Sequence, residues 1–381
     1  MAFRLGNEGN PSSSQISARP CGVSSAPRPG PRIPAAHNVA ATLLKAPSME
    51  RACASSTRSG RLSGLLRLAL LACAALLGAG CGPRHEPPLM VGTNTWTGYE
   101  PLYLARDLGY HDGLPLRLVE LGSATQAMDA LRVGKLDLAG LTLDEALTLA
   151  QEGVPIRIVW VLNVSAGADA VVARPGIARL ADLRGRRIGV EQTAVGAYML
   201  QAALQQAGIR ASEVSVVPLP LDEHLAAWRN RHVDAVVTFD PVRQMLVNEG
   251  GVTLFDSRAL PGEIVDVLVA RQAALQCCAR HIAQLLDGQR RALAYLAQHR
   301  GDALARMARR PGVAASDVAA ALGGMALPDT AANQALLGGP SPGLARTAQQ
   351  LAQAMHQRGL LARAPDTTAL VDGRFVREMQ P

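Results

Sequence analysis

The sequence predicts an α/β protein of two related lobes joined by a two-strand hinge. From Leu89 onward, short apolar runs alternate with amphipathic stretches, the signature of βα units around a mainly parallel sheet. The same alternation starts afresh after Pro175-Gly176. At a fixed offset of 97 residues, Arg132, Asp137, Leu149, Glu152 and Gly153 coincide with Arg229, Asp234, Leu246, Glu249 and Gly250.

Strands of the first lobe fall near 89–95, 116–121, 136–142 and 156–163, with helices near 100–108, 124–133 and 143–152. Leu180–Val190 (LADLRGRRIGV) is a helical turn, a glycine stop and a new strand, which opens the second lobe. Further strands follow near 214–219, 234–239 and 252–255, with helices near 194–207, 222–231 and 241–249. In both copies a helix and turn lead to an Asp, a strand and a polar end: Thr142 and Asp144, then Thr238 and Asp240. Past Pro261-Gly262, the strand Glu263–Ala270 (EIVDVLVA) returns the chain to the first lobe. Helices near 278–299, 302–309, 316–325 and 343–358 then cover that lobe, with apolar residues at helical spacing such as Ile282, Leu285, Leu286, Leu293 and Leu296. The expected boundaries are 89–175 with 263–381 for lobe 1 and 176–262 for lobe 2, with crossings near 175 and 263.

Upstream, residues 1–48 are rich in Pro, Ser, Ala and Arg without hydrophobic periodicity, which fits a disordered extension or a start upstream of the true one at Met49. Residues 49–80 read as an export signal: Arg51, Arg58, Arg61 and Arg67 precede the uncharged run Leu68–Gly80, too short for a membrane span of about 20 residues. Leu77–Cys81 (LGAGC) resembles a lipoprotein cleavage site, so Cys81 is the expected lipidated residue. Gly78 stands where an aliphatic residue is usual, and a plain cleaved signal is the alternative. Residues 81–88 form a short, Pro-rich tether.

Residues 1–80 hold nine Lys or Arg and two Glu, leaving 29 bases and 29 acids for the remainder. The exported part is therefore neutral, and the basic balance gives no support to nucleic-acid binding. After Cys81 only Cys277 and Cys278 remain; adjacent cysteines seldom bridge, so they are expected to be half-buried packing without a disulfide. Nucleophile-elbow, phosphate-loop, His-Glu-x-x-His and Cys-x-x-Cys motifs are absent from the sequence, and the histidines show no metal spacing. A binding protein without cofactor or metal is the reading, with His224 alone placed where a cleft could use it.

Gly92–Tyr110 (GTNTWTGYEPLYLARDLGY), Leu180–Val190 and Val233–Asp240 (VDAVVTFD) together resemble the solute-binding proteins of nitrate, sulfonate, taurine and pyrimidine-precursor ABC importers. The resemblance spans about residues 89–300 and implies a type II-like periplasmic-binding-protein fold, whose lobes close on a small solute and deliver it to a membrane permease. The implied partners are that solute, ABC permease and ATPase subunits, and the membrane through a lipid anchor; the chain itself is expected to be a monomer.

In such a fold the ligand sits beyond the strand ends. After the first strand come Asn94, Trp96, Tyr99 and Glu100. Trp96 can stack on a flat or cationic ligand, or pack under the lobe; Glu100 can reach a ligand, or merely open a helix before Pro101. Ser123, Thr142 and Thr193 stand at helix starts, where an oxygen-bearing ligand and ordinary N-capping are both served. Asp144, Asp169, Glu191, Asp240 and Glu263 fall near strand ends or crossings, with few bases beside them. Carboxylates in that number raise the cost of holding an anion and favour an amine or aminopyrimidine-like solute, unless arginines pair them off. The alternatives are a nitrate, sulfonate or taurine receptor, a sensor acting in trans, and an enzyme like the pyrimidine-precursor synthases of the same superfamily.

Overall fold

The computed structural model describes residues 87–193, 195–377 and 379. The extension 1–48, the signal 49–80, Cys81 and most of the tether lie outside the described residues. Strands β1 (Leu89–Asn94), β2 (Leu116–Leu121), β3 (Leu138–Thr142), β4 (Ile156–Ser165), β10 (Val265–Arg271) and β11 (Met325–Ala326) form one sheet in the order β11-β4-β10-β3-β1-β2. Strands β5 (Asp169–Ala173), β6 (Arg187–Val190), β7 (Ser215–Pro218), β8 (Ala235–Phe239) and β9 (Val252–Asp256) form the other, in the order β7-β6-β8-β5-β9.

The two sheets repeat one plan. In each, a first strand lies parallel between the next two: β1 between β2 and β3, β6 between β7 and β8. Beside the third runs an antiparallel strand, β10 in one sheet and β5 in the other. The five repeated residues hold this plan together. Asp137 accepts Met90 N at 2.9 Å, and Asp234 accepts Arg187 N at 2.9 Å, so each fixes the start of the neighbouring strand. Arg132 pairs with Glu152 at 2.8 Å and Arg229 with Glu249 at 2.7 Å, tying the ends of two successive helices in both halves. Leu149 and Leu246 are fully buried, and Gly153 and Gly250 end their helices at φ 83° and 88°, where a side chain would be strained.

Helices α1 (Glu100–Asp107), α2 (Ala124–Arg132) and α3 (Leu143–Gln151) follow the first three strands; α4 (Val195–Ala207), α5 (His224–Arg229) and α6 (Val242–Asn248) follow their counterparts. After β10 come α7 (Gln272–Cys277), α8 (Ala279–Gln298), α9 (Arg300–Met307), α10 (Ala315–Gly323), α11 (Thr330–Leu337), α12 (Gly343–Gln357) and α13 (Arg374–Arg377). Of these, α8 and α9 pack on α1, α12 on α3, and α11 on β4, so the C-terminal helices cover the first sheet as expected. Among the described residues no helix is long and apolar enough to cross a membrane.

Three features depart from expectation. Strand β5 was not foreseen: buried on both faces, it shows no polar alternation to betray it. The chain thus passes between the sheets from Ser165 to Asp169, ahead of the crossing expected near 175, and Gly167 makes the turn at φ 122°. The helix expected over 316–325 stops at Gly323, giving way to β11 and α11. Lastly, Cys277 and Cys278, expected to be unbridged, form a disulfide at the junction of α7 and α8, where Cys278 leaves helical geometry at φ −128° and ψ 24°.

Candidate functional site

The strand pairing brings three polar residues together at one edge of the first sheet. Thr142, the last residue of β3, lies opposite Asp266 near the start of antiparallel β10, and Asp266 also faces Asn163 of β4. Across the cleft, Asp169 opens β5 opposite Phe239, which closes β8. A cavity between the two groups is lined by Asn94, Trp96, Tyr99, Ala124, Thr142, Glu145, Asp169, Val195, Phe239 and Asp266. Its volume is about 20 Å³, room for roughly one water. Trp96 meets Phe239 edge to face, with ring centroids 5.3 Å apart.

Among the described residues, three carboxyl groups line this cavity and no Lys or Arg does. Asp266 is capped by neutral donors: Tyr99 donates its hydroxyl to Oδ1 at 2.6 Å, and Asn163, oriented to suit its neighbours, donates to Oδ2 at 2.9 Å and accepts Trp96 Nε1 at 3.2 Å. Glu145 accepts Thr142 N at 2.9 Å and, across the cleft, Val195 N at 3.5 Å. Asp169 differs, because its Oδ2 has no partner among the described residues. Burial pushes all three acids up: Glu145, with Asp144 adding to the effect, and Asp266 well above the carboxylate range, and Asp169 to about 7, with Asp240 and Asp144 contributing. Arg243, whose charge reaches Asp169, is itself held by both oxygens of Asp240 at 3.1 and 3.0 Å.

Helix N-termini around the cleft could receive an anion. Here the chain's own acids take those amides. Glu191 accepts Thr125 N at 2.8 Å at the start of α2, and Glu145 serves Val195 N at the start of α4.

Of the residues singled out in the sequence, Asn94, Trp96, Tyr99, Thr142 and Asp169 meet in this cavity. Glu191 lines a second cavity of about 10 Å³ with His224 and Thr238, which shares Asp169, Val195 and Phe239 with the first. Asp144, whose pKa burial lifts to about 6, and Thr193 line an outer cavity of about 180 Å³ with Tyr198 and Met355.

The other four lie elsewhere. Glu100, at the head of α1, is paired with Arg310, just past the end of α9, which also meets Glu120 at 2.9 Å. Ser123 caps α2 by accepting Gln126 N at 3.3 Å. Asp240 is consumed by Arg243, and Glu263 accepts the Tyr198 hydroxyl. Glu145, Phe239 and Asp266 were missed. Asp266 had a legible signal: a lone acid inside an otherwise apolar strand must find partners or a ligand.

Among the described residues no three His, Cys, Asp or Glu side chains gather to hold a metal ion.

Residues 82–310, well over half the chain, match the model of the NMT1-like family. The Taurine-binding periplasmic protein of Escherichia coli (strain K12) is 28% identical over 153 residues, 39% of this chain and 48% of that relative. The chain thus spans about half the length of the curated relatives it matches. Among solved structures, the alkanesulfonate-binding protein SsuA from Xanthomonas axonopodis pv. citri bound to MOPS superposes with a TM-score of 0.62 at 18% identity, covering 75% of this chain and 96% of that one. The periplasmic nitrate-binding protein NrtA from Synechocystis PCC 6803 gives 0.62 at 15% identity, covering 76% and 87%. Matched along most of its length by that family model, and folded as two sheets flanking a polar cleft like these receptors, the chain belongs to the NMT1-like family and has the periplasmic-binding-protein fold.

Proposed function

We propose that this protein is the solute receptor of an ABC importer, and that its solute carries a cationic amine, amidine or aminopyrimidine group. It acts outside the cytosol, held by a lipid on Cys81, and hands the solute to a permease driven by an ATPase. One observation carries the choice of solute: Glu145, Asp169 and Asp266 line a cavity that no basic side chain enters. Burial favours the neutral form of these acids; a cation lets them ionise against a charged partner, whereas an anion raises the cost of ionising them further. Trp96 and Phe239 offer ring faces or edges to the apolar part of such a cation.

The names of the relatives favour a second reading, a sulfonate such as taurine. Taurine carries an ammonium group that these acids could hold, but its sulfonate would have to displace Glu145 or Glu191 from a helix N-terminus. Thermal unfolding of the purified protein with amines, aminopyrimidines, taurine, alkanesulfonates and nitrate tests the choice. A solute at 100 times its Kd adds about 2.7 kcal/mol of stability, which raises the midpoint measurably. Cationic compounds should stabilise; stabilisation by sulfonates or nitrate alone would overturn the reading.

A further inference from the structure

Two of the cavities in the cleft share a wall, and that wall carries an unused acceptor. Asp169, Val195 and Phe239 line both. Asp169 is 4% exposed and Glu191 6%, yet among the described residues Asp169 Oδ2 and Glu191 Oε2 have no hydrogen-bond partner. A buried carboxylate oxygen without a donor is costly, on the order of 1–3 kcal/mol or more, and such an arrangement persists where a ligand supplies the missing donor.

The two acceptors are served differently by their surroundings. Glu191 spends Oε1 on Thr125, through both its amide at 2.8 Å and its hydroxyl, which leaves Oε2 for the cavity. His224, in the same wall, adds no competing charge. Its Nε2 lies 3.2 Å from the Leu219 carbonyl, which can only accept, so Nε2 carries the proton and Nδ1 accepts the Thr238 hydroxyl at 3.1 Å. Burial lowers its pKa to about 4, so the ring is neutral near pH 7. The second cavity therefore presents a carboxylate oxygen and no cation.

Resting on the cationic reading above, we propose that the solute is elongated and dicationic: one N–H-bearing positive group lies in the first cavity against Asp169, the other in the second against Glu191 Oε2, with the apolar link passing Phe239. Neither cavity admits such groups as it stands, since they measure about 20 and 10 Å³. The lobes must part, and Phe239 must turn, for the link to pass.

Calorimetric titration with butylamine, 1,4-diaminobutane and 1,6-diaminohexane tests this. At least one diamine should bind about tenfold or more tightly than butylamine, the scale of one desolvated charge pair. Glu191→Gln keeps an amide oxygen for Thr125 but removes the charge from the second cavity. In that variant the ratio of diamine to butylamine affinity should fall to within about threefold, whatever the shift common to both ligands. Amine binding without a diamine preference, or a preference that survives Glu191→Gln, overturns the two-cavity proposal and leaves the cationic reading standing. Failure of every amine and aminopyrimidine to bind removes both.

Discussion

Asp169 concentrates the site's physical costs in one side chain. It opens β5, it lies in the wall of both cavities, and one oxygen is unpartnered. Burial raises its pKa to about 7, far above the value an unfolded chain would give, so the folded state binds the proton more tightly. Its favourable contribution is full below about pH 4 and is lost as pH rises through 7. His224 acts with the opposite sign: its folded pKa of about 4 lies below the unfolded value, so its contribution is present above about pH 6.5 and lost as pH falls toward 4. Between pH 6.5 and 8 the histidine is silent, while Asp169, with Glu145 and Asp266 of the same sign, makes the ligand-free protein less stable. The melting temperature should drop across that window by about 2–4 °C for each kcal/mol lost. Asp169→Asn, which carries no proton equilibrium, should flatten the drop, and identical slopes for the variant and the parent would show that the acid is not held neutral.

At the scale of elements, the repeated residues prove to be scaffold, and their energies can be told apart. Asp137 takes a backbone N–H at the start of β1 in a half-buried place, so Asp137→Ala leaves that donor unpaired and should cost about 1–3 kcal/mol in urea unfolding. The Arg132–Glu152 pair is solvent-exposed, so Arg132→Ala should cost at most about 1 kcal/mol. A larger loss for Arg132→Ala than for Asp137→Ala would reverse the assignment. The same contrast explains what was legible in the sequence. Amphipathic helices such as α8 and half-buried strands such as β2 announce their period, and Asp137 and Asp234 repeat because each half needs the same strand clamp. Strand β5 hid because Asp169–Ala173 is buried on both faces, leaving only an Ala- and Val-rich run too short to type. Asn94, Trp96, Tyr99 and Thr142 were readable from their places at strand ends. Glu100 and Asp240 looked identical to them in sequence, and only the distant Arg310 and the local Arg243 divert them.

Over the whole molecule, side chains from both sheets tie the cleft together. Thr125 of α2 reaches both Glu191 and Thr193, Glu145 of α3 reaches Val195 N, and Tyr198 of α4 donates to Glu263 while Arg358 lies 4.8 Å above its ring. These contacts shut a cavity that has room for about one water. A solute of several heavy atoms can enter only if they break, so binding and opening must be linked. The hydroxyls of Thr125 and Thr193 are within hydrogen-bond distance of each other, which makes this pair the place to try a bridge of cysteines. The double variant Thr125→Cys/Thr193→Cys should therefore oxidise to a locked, closed protein. Calorimetry should then find affinity for the cationic solute reduced at least about hundredfold, with recovery on adding reductant; the unmodified protein, whose own Cys277–Cys278 bond meets the same reductant, serves as the control. The proposed receptor role requires this behaviour if the lobes part about the connections at Ser165–Asp169 and Asp256–Val265. Undiminished binding by the locked form would mean that the solute reaches its site through a closed shell, and the cleft between the sheets would not be the place where it is held.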